Sequence, residues 1–441
     1  MLRPYIIPTS MTTYARRLGL FSGTMAVVGG IIGGGIFRTP ATVAERLRSP
    51  GLVLLAWVIG GVVALIGAFC WGELGQRRPR AGGGYVYLRE TFGPLPAFLY
   101  GWTLVLVIAT GAIAAVAVTF ADYTLALLGF PHTYSVPLAV AAIVFLAGIN
   151  YVGVRPAAIT QNIFTILKLA ALAMLIGAGI LLATPTASYR PLPPSTAGVG
   201  ALGAALVPVL FTYGGWQQTN FIAEEIVEPE RNLPRALVLG VAIVVAVYLL
   251  TNIAYLRILG VEGLAASTAP AADTMRAVLG PAGGKIIAAG IALSTFGFLN
   301  LVILVTPRVL QAMAADGVFF RRLAVLHPSY QTPTAAIVAL ALCAVALTLT
   351  GTFGQLVDYV TFGDWIFFGL TAAALFVYRQ RDQSPVTGFR VPAYPVTVII
   401  FVLAAAYVVF SAIISNPKNA AIGAGLIALG IPAFLYWRSR S

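Results

Sequence analysis

Long apolar runs, separated by short polar loops, occupy most of the chain. A helix needs roughly 20 apolar residues to cross the hydrocarbon core of a bilayer, and about twelve runs approach that length. The predicted spans are 18–37, 51–75, 93–121, 135–153, 160–184, 203–223, 234–258, 283–311, 333–350, 355–378, 393–413 and 420–437. The pattern therefore predicts an all-α membrane protein with about twelve transmembrane helices.

The composition supports lipid as the solvent for most of the surface. Hydrophobic residues make up 59% of the 441 positions and charged residues only 9%, whereas soluble domains carry about 25% charged residues. The net charge of +13 comes from basic residues scattered through short loops. Because Lys and Arg accumulate in cytoplasmic loops, this excess indicates membrane topology and no nucleic-acid partner.

The distribution of Lys and Arg also predicts the orientation. With the N-terminus inside, 18 of the 27 basic residues fall in inside segments and 8 in outside segments, while Lys168 lies within a span. Both termini of this multi-pass protein are therefore expected in the cytoplasm, with the chain in the inner or plasma membrane. The first run is too long for a signal peptide, so residues 1–17 are interpreted as a cytoplasmic tail, with Met1 or Met11 as the start.

Two of the predicted spans are interrupted by glycine. The first contains three consecutive glycines within residues 29–37, and the sixth contains Pro208 followed by Gly214 and Gly215. Close helix packing is one interpretation, because Gly29 and Gly33 form a small-xxx-small pair. However, interruptions at corresponding positions of two repeats mark the binding site of an inverted-repeat transporter.

This second interpretation divides the chain into repeats. It predicts a first inverted repeat over residues 18–184, a second over 203–378, and two additional spans within 393–437. A helix break at membrane depth is tolerated where it lines a cavity or meets a ligand. Freed amides attract an anion and freed carbonyls a cation, so the pair of breaks suits an amino acid zwitterion.

Three sequence blocks resemble one transporter superfamily. The run from Gly30 to Phe37 is similar to G-x-I-I-G-S-G-I-F, the stretch from Gly72 to Tyr85 to G-E-L-G…P-x-x-G-G-x-Y, and the stretch from Phe211 to Arg235 to F-x-Y-x-G-W…E-E…P-x-R-N-L-P-R. These motifs resemble the amino acid–polyamine–organocation superfamily, closest to the L-type amino acid transporters and the bacterial serine/threonine exchangers.

The resemblance implies a fold of two inverted five-helix repeats plus two helices, with alternating access around broken helices one and six. It also implies that first-span amides bind the substrate carboxylate, that backbone carbonyls bind its amine, and that the ring of Phe211 is the gate. The amides implied are those of Gly33, Gly34 and Gly35, and the carbonyls those of Ile31, Phe211 and Gly214. Gly34 departs from the family, which usually has Ser or Thr there, so the pocket is expected to be larger and to lack one donor.

Two charged residues inside spans are candidates for coupling. A lysine at mid-bilayer costs at least about 2.5 kcal/mol on insertion scales, which favours a function for Lys168 over a side chain that snorkels to the surface. In the resembling family a lysine at this place takes the position that sodium occupies in distant relatives. Burial disfavours a charged lysine, so proton exchange is also expected. Asp364 is the weaker candidate, as a second proton-active group, and it is equally interpreted as an acid near the outer mouth or as one paired with a neighbouring polar group.

Little in the sequence favours catalytic chemistry. Cys70 and Cys343 lie within apolar runs, and His132 and His327 lie in loops, so no catalytic residues, metal or cofactor are predicted. Glu73, Glu224 and Glu225 lie at cytoplasmic span ends and are expected to pair with loop arginines. An accessory subunit is not indicated, because no outer cysteine is present to tether one.

The sequence therefore predicts a secondary transporter of amino acids, with neutral L-amino acids as the expected substrates. Transport would be sodium-independent exchange or proton-coupled symport. The alternative in the same fold is a polyamine or cationic amino acid exchanger, which requires acidic groups at the site. A membrane-embedded enzyme is the remote alternative, and a channel is disfavoured by the paired breaks.

Overall fold

The protein is described by a computed structural model that covers residues 14–182, 199–351, 353–382 and 388–439. Within these ranges the chain is helical and contains no β-strand, although Leu18 and Ile226 form one isolated parallel bridge. The prediction of an all-α protein is therefore confirmed.

Sixteen α-helices follow one another along the described chain. They are α1 (Leu20–Ile31), α2 (Thr39–Leu47), α3 (Pro50–Arg77), α4 (Gly84–Phe92), α5 (Pro94–Thr103), α6 (Thr110–Leu128), α7 (Ser135–Tyr151), α8 (Val154–Gly177), α9 (Val199–Thr212), α10 (Pro229–Ala266), α11 (Pro270–Ala315), α12 (Thr334–Thr350), α13 (Phe353–Arg381), α14 (Val396–Ser415), α15 (Pro417–Ala428) and α16 (Gly430–Arg438). A π-helical stretch, Leu104–Ala109, joins α5 to α6, and a 3₁₀ segment, Trp216–Glu225, follows α9.

Eight helical segments of the described chain are long and apolar enough to cross a membrane. They are Pro50–Arg77, Pro94–Leu128, His132–Tyr151, Val154–Leu182, Pro229–Ala266, Pro270–Ala315, Val396–Ser415 and Pro417–Arg438. This number establishes a multi-pass membrane protein, while the count of twelve spans and the two inverted repeats stay predictions.

The first predicted span differs from the structure in its extent. The run was expected to end at residue 37, but a second helical piece, α2, follows and extends to Leu47. Arg46 within this piece and Arg38 and Arg48 at its two ends lower the hydropathy and conceal the helix in the sequence. Pro40 lies in its first turn, where a proline is tolerated because the missing amide has no helical partner.

The two interrupted helices lie in the centre of the bundle. Helix α1 packs between α8 and α10, and α2 packs against α9 and α10. Helix α11 is the longest, and it contacts α6, α8 and the 3₁₀ segment after α9. The interruptions after Ile31 and Thr212 therefore meet inside the protein rather than at its lipid-facing surface.

The end of the bundle at which α1 begins is closed by backbone and ionic contacts. The amides of Arg17 and Leu18 donate to the carbonyl of Glu225 at 2.9 and 3.0 Å, and Val227 donates to Leu18 at 2.8 Å. The carboxylate of Glu225 accepts from Nε of Arg308 at 2.7 Å, and both side chains are fully buried. A buried ion pair persists only when its geometry and hydrogen bonds are good, so this contact fixes the closed end of the bundle.

The same end of the bundle shows how the predicted acidic residues pair. Glu73 binds Arg77 at 2.8 Å and Arg379 at 2.5 Å, as expected for an acid at a span end. Glu225 also pairs with an arginine, but Arg308 lies within α11 rather than in a loop. The carboxylate of Glu224 accepts from the amide of Ala81 at 3.3 Å.

Tyr14 covers the buried ion pair. Its ring lies 5.8 Å from the guanidinium carbon of Arg308, and only 5% of the residue is exposed. Burial raises the pKa of Tyr14 well above its usual range, so the phenol remains neutral and adds no second anion beside Glu225.

Candidate functional site

The first break exposes a row of backbone amides. After Ile31, the amide of Gly33 turns back to the carbonyl of Ile31 at 2.9 Å, and a 3₁₀ turn over Gly35–Phe37 follows. Among the described residues, no protein acceptor meets the amides of Gly34, Gly35 and Ile36. Gly34 is exposed and Gly35 is half-buried, whereas Ile36 is fully buried, so only the first two of these amides border an open space. Consecutive unpaired amides form an anion-binding concavity.

The second break touches the first, backbone to backbone. Helix α9 ends at Thr212, the amide of Gly214 turns back to Phe211 at 3.0 Å, and Gly215 adopts a φ of +113°. A Cβ added at Gly215 would lie 2.1 Å from the carbonyl oxygen of Gly30. Glycine is therefore required at this crossing, both by its backbone conformation and by the contact.

Lys168 reaches the first break from α8. Its side chain is fully buried, and Nζ donates to the carbonyls of Ile32 at 2.8 Å and Gly29 at 3.2 Å. The lysine therefore does not snorkel to a surface. The hydroxyl of Ser294 on α11 donates to Ile32 at 3.3 Å. Together these donors satisfy carbonyls that the interrupted helix leaves without helical partners.

A buried chain of polar side chains supports Lys168 on the side of α8 nearer its start. Gln161 donates to the hydroxyl of Thr165 at 3.2 Å, and Thr165 donates to the carbonyl of Met25 on α1 at 3.2 Å. Asn300 on α11 donates to Gln161 at 3.1 Å, and Asn150 on α7 donates to Asn300 at 3.1 Å. Each of these side chains is at most 1% exposed. This series of hydrogen bonds ties α7, α8 and α11 to α1 at Met25.

Tyr248 and Thr212 connect the two breaks. The hydroxyl of Tyr248 on α10 lies 3.0 Å from the carbonyl oxygen of Ile31 and 3.4 Å from that of Thr212. The hydroxyl of Thr212 donates to the carbonyl of Pro208 at 2.8 Å and can accept from the hydroxyl of Thr39, which lies 2.8 Å away. Sequence reasoning missed Tyr248 and Ser294, because nothing distinguishes them from other polar residues within apolar runs.

The three carbonyls expected to bind an amine differ in their surroundings. Ile31 already accepts from Gly33 and Tyr248, and Phe211 already accepts from Gly214. Within the described chain, the carbonyl of Gly214 has no protein donor. Each carbonyl oxygen has two lone pairs, so Phe211 and Gly214 have more capacity left for a cation than Ile31.

The site is open at the end opposite the buried ion pair. Phe211 is 49% exposed, and Gly33, Gly35 and Gly214 are half-buried. Phe211 is therefore accessible from outside the protein in this conformation. Beside Gly214, a small apolar cavity extends between the aromatic side chains of Tyr213, Trp216, Trp365, Phe368 and Phe401.

Asp364 stands apart from this arrangement. It lies in α13, and no hydrogen bond or ion pair joins it to Lys168 or to either break, all of which belong to the described part of the chain. Among the described residues, no three His, Cys, Asp or Glu side chains come together as metal ligands would.

Comparisons with known proteins agree with this geometry. A family model described as amino acid permease matches residues 18–436. The human b(0,+)-type amino acid transporter 1 is 34% identical over 413 residues, which cover 92% of this chain and 84% of that protein. The human Asc-type amino acid transporter 1 is 33% identical, with 96% and 83% covered. The mouse large neutral amino acids transporter small subunit 2 is also 33% identical, with 96% and 82% covered. The chain belongs to the amino acid permease family.

Proposed function

We propose that this protein is a secondary transporter of neutral L-amino acids that works by sodium-independent exchange or proton-coupled symport. The observation that carries the proposal is the meeting of two broken helices, one with unpaired amides at Gly34 and Gly35 and the other with an unpaired carbonyl at Gly214. A zwitterion supplies a carboxylate for the amides and an ammonium for the carbonyls. The family and the relatives named above are transporters rather than enzymes.

The chemistry of the site favours a neutral substrate. Among the described residues, no acidic side chain hydrogen-bonds to either break. A cationic amino acid or a polyamine would bring a second positive charge next to Lys168, where it would be repelled.

Lys168 supports independence from sodium. A fully buried ammonium already occupies the carbonyls of Gly29 and Ile32, which are the kind of hard oxygen ligands that a bound cation would need. A second cation at the same oxygens would meet strong Coulomb repulsion. We assign Lys168 the coupling role, and we assign the gate to Phe211, whose side chain is exposed one residue before the end of α9.

The proposed location of the protein is the inner or plasma membrane. Both termini are proposed to lie in the cytoplasm. We propose twelve spans, as two inverted repeats over residues 18–184 and 203–378 followed by two spans within 393–437. In this orientation the buried pair of Glu225 and Arg308 closes the cytoplasmic end, and the exposed Phe211 and Gly34 face outward. The structure then corresponds to an outward-open state of alternating access.

The first experiment tests the substrate class and the coupling ion. Purified protein alone is reconstituted into proteoliposomes, because the cysteines offer no evident outer tether: Cys70 is buried and Cys343 lies within α12. Counterflow is measured for the twenty amino acids and for putrescine, with sodium or choline outside. We expect exchange of neutral L-amino acids at equal rates in both salts. Transport of polyamines alone, or accumulation driven by sodium, would contradict the proposal.

Replacing Gly35 by Val should abolish uptake while folded protein remains in the membrane. A Cβ at Gly35 would lie 2.8 Å from Cγ2 of Thr212, so the added side chain must displace either the amides or α9. We expect at least a tenfold loss, equivalent to about 1.4 kcal/mol. Gly34→Ala is the comparison, because nothing lies within 4 Å of a Cβ there, and it should retain measurable uptake. Equal rates in Gly35→Val and wild type, at equal expression, would refute the site.

Replacing Lys168 by Ala should reduce uptake at least about tenfold, because charge-assisted hydrogen bonds contribute roughly 1.5–3 kcal/mol each. The variant should also show a flatter dependence on pH between about 5 and 8, the range that a buried ionisable group can enter, since a titratable group has left the site. Lys285→Ala is the matched control, because Lys285 is exposed on α11, and it should behave as wild type. An unchanged rate and pH profile in Lys168→Ala would remove Lys168 from the mechanism.

A further inference from the structure

An exposed stripe leads outward from the unpaired amides along the second piece of the broken helix. Helix α2 packs against α3, α9 and α10, and its remaining side is open. Gly34, Arg38 and Glu45 are exposed on that side, with Thr42 half-buried between them. The spacing of three to four residues places these positions on one face. Charged side chains on this face indicate water rather than lipid beside it.

Arg38 lies one turn beyond the amides. Its own amide donates to the carbonyl of Gly35 at 3.0 Å and closes the 3₁₀ turn. Arg38 is the residue between this turn and α2, and it is exposed, as Gly34 is. The hydrogen bond therefore keeps the backbone of Arg38 one turn from Gly35, and the long side chain of an arginine can extend from there into the water beside the amides.

The charge of Arg38 is not neutralised by a neighbour. No carboxylate lies within 4.0 Å of it in the part of the chain that the structure describes. The acid on the same face, Glu45, is seven residues further along, about 10 Å away along a helix axis, which is comparable to the Debye length at physiological salt. A guanidinium that has no carboxylate partner is suited to binding the carboxylate of a ligand through two parallel hydrogen bonds.

We propose that Arg38 forms an outer carboxylate subsite that binds the α-carboxylate of an incoming amino acid before the amides of Gly34 and Gly35 receive it. The proposal rests on the proposed function and adds a recruiting step to it. The subsite holds the substrate in water, one helical turn outside the breaks, and releases it when the amides accept the same carboxylate. The geometry assigns to Arg38 an effect on substrate capture rather than on the conformational change.

The first test compares Arg38→Gln with wild type in proteoliposomes. We expect KM for a neutral amino acid to rise about two- to fivefold, the range for a solvent-exposed ion pair, with the maximal rate unchanged. Raising the salt from about 0.01 M to 0.5 M shortens the Debye length several-fold, and it should raise KM of the wild type but not of the variant. Arg48→Gln is the matched control, because Arg48 is exposed at the far end of the same helix, and its KM should equal that of wild type.

A charge-restoration experiment provides the second test. In a Cys343→Ser background, with Cys70 fully buried, Arg38→Cys is treated from outside with methanethiosulfonate reagents that add a trimethylammonium or a sulfonate group. The positive group should lower KM toward the wild-type value and the negative group should raise it. Saturating substrate should slow both modifications. Equal effects of the two reagents would overturn the proposal.

Varying the lipid composition distinguishes two possible ligands of Arg38, the carboxylate of the substrate and an anionic lipid headgroup. In liposomes of phosphatidylcholine alone, the increase in KM of Arg38→Gln should persist; an increase seen only with anionic lipids would overturn the substrate assignment. A wild-type protein that transports no amino acid overturns the proposed function and this inference together. Normal transport with an unchanged KM in Arg38→Gln overturns this inference alone.

Discussion

The ammonium of Lys168 on the carbonyls of Gly29 and Ile32 is the contact on which the rest of the site depends. An interrupted helix in the interior leaves amides and carbonyls without partners, and each unsatisfied group inside the membrane costs several kcal/mol. Lys168 and Ser294 donate hydrogen bonds to the carbonyls of the break. The amides of Gly34 and Gly35 can therefore remain free to bind a ligand. In the proposed mechanism the same fixed cation repels a second one, which would link the stability of the break to independence from sodium.

Contacts on both sides of Lys168 hold that break between rigid elements. The chain from Thr165 through Gln161 to Asn300 anchors the start of α1 to α8 and α11, while Tyr248 ties the end of α1 to α10. The buried ion pair at the other end of the bundle closes one route. Opening that route therefore requires fully buried polar contacts to separate, whereas the exposed Phe211 can rotate without breaking any of them. The route past Phe211 is therefore expected to open more easily than the route past the buried ion pair.

The sequence predicted the breaks because glycine runs and a membrane lysine are local signals. Gly29 to Gly35 and Lys168 stand out in any apolar run, and their meeting could be inferred from the resemblance. Tyr248 and Ser294 gave no such signal, since their partners lie 217 and 262 residues away in the chain. Helix α2 was missed because hydropathy assumes that arginine avoids a span, whereas Arg46 donates to the carbonyl of Ala204 on α9 and Arg38 faces the open stripe.

Amide hydrogen exchange over residues 29–37 tests most directly whether Lys168 holds the break in its binding shape. The wild type and Lys168→Met, which keeps the chain length without the charge, are compared with and without a transported amino acid. We predict that substrate protects the amides of Gly34 and Gly35 in the wild type. In Lys168→Met, exchange without substrate should be at least about tenfold faster, equivalent to about 1.4 kcal/mol, and substrate should protect less, while peptides from α14 are unchanged. Identical exchange of residues 29–37 in the two proteins would contradict the account.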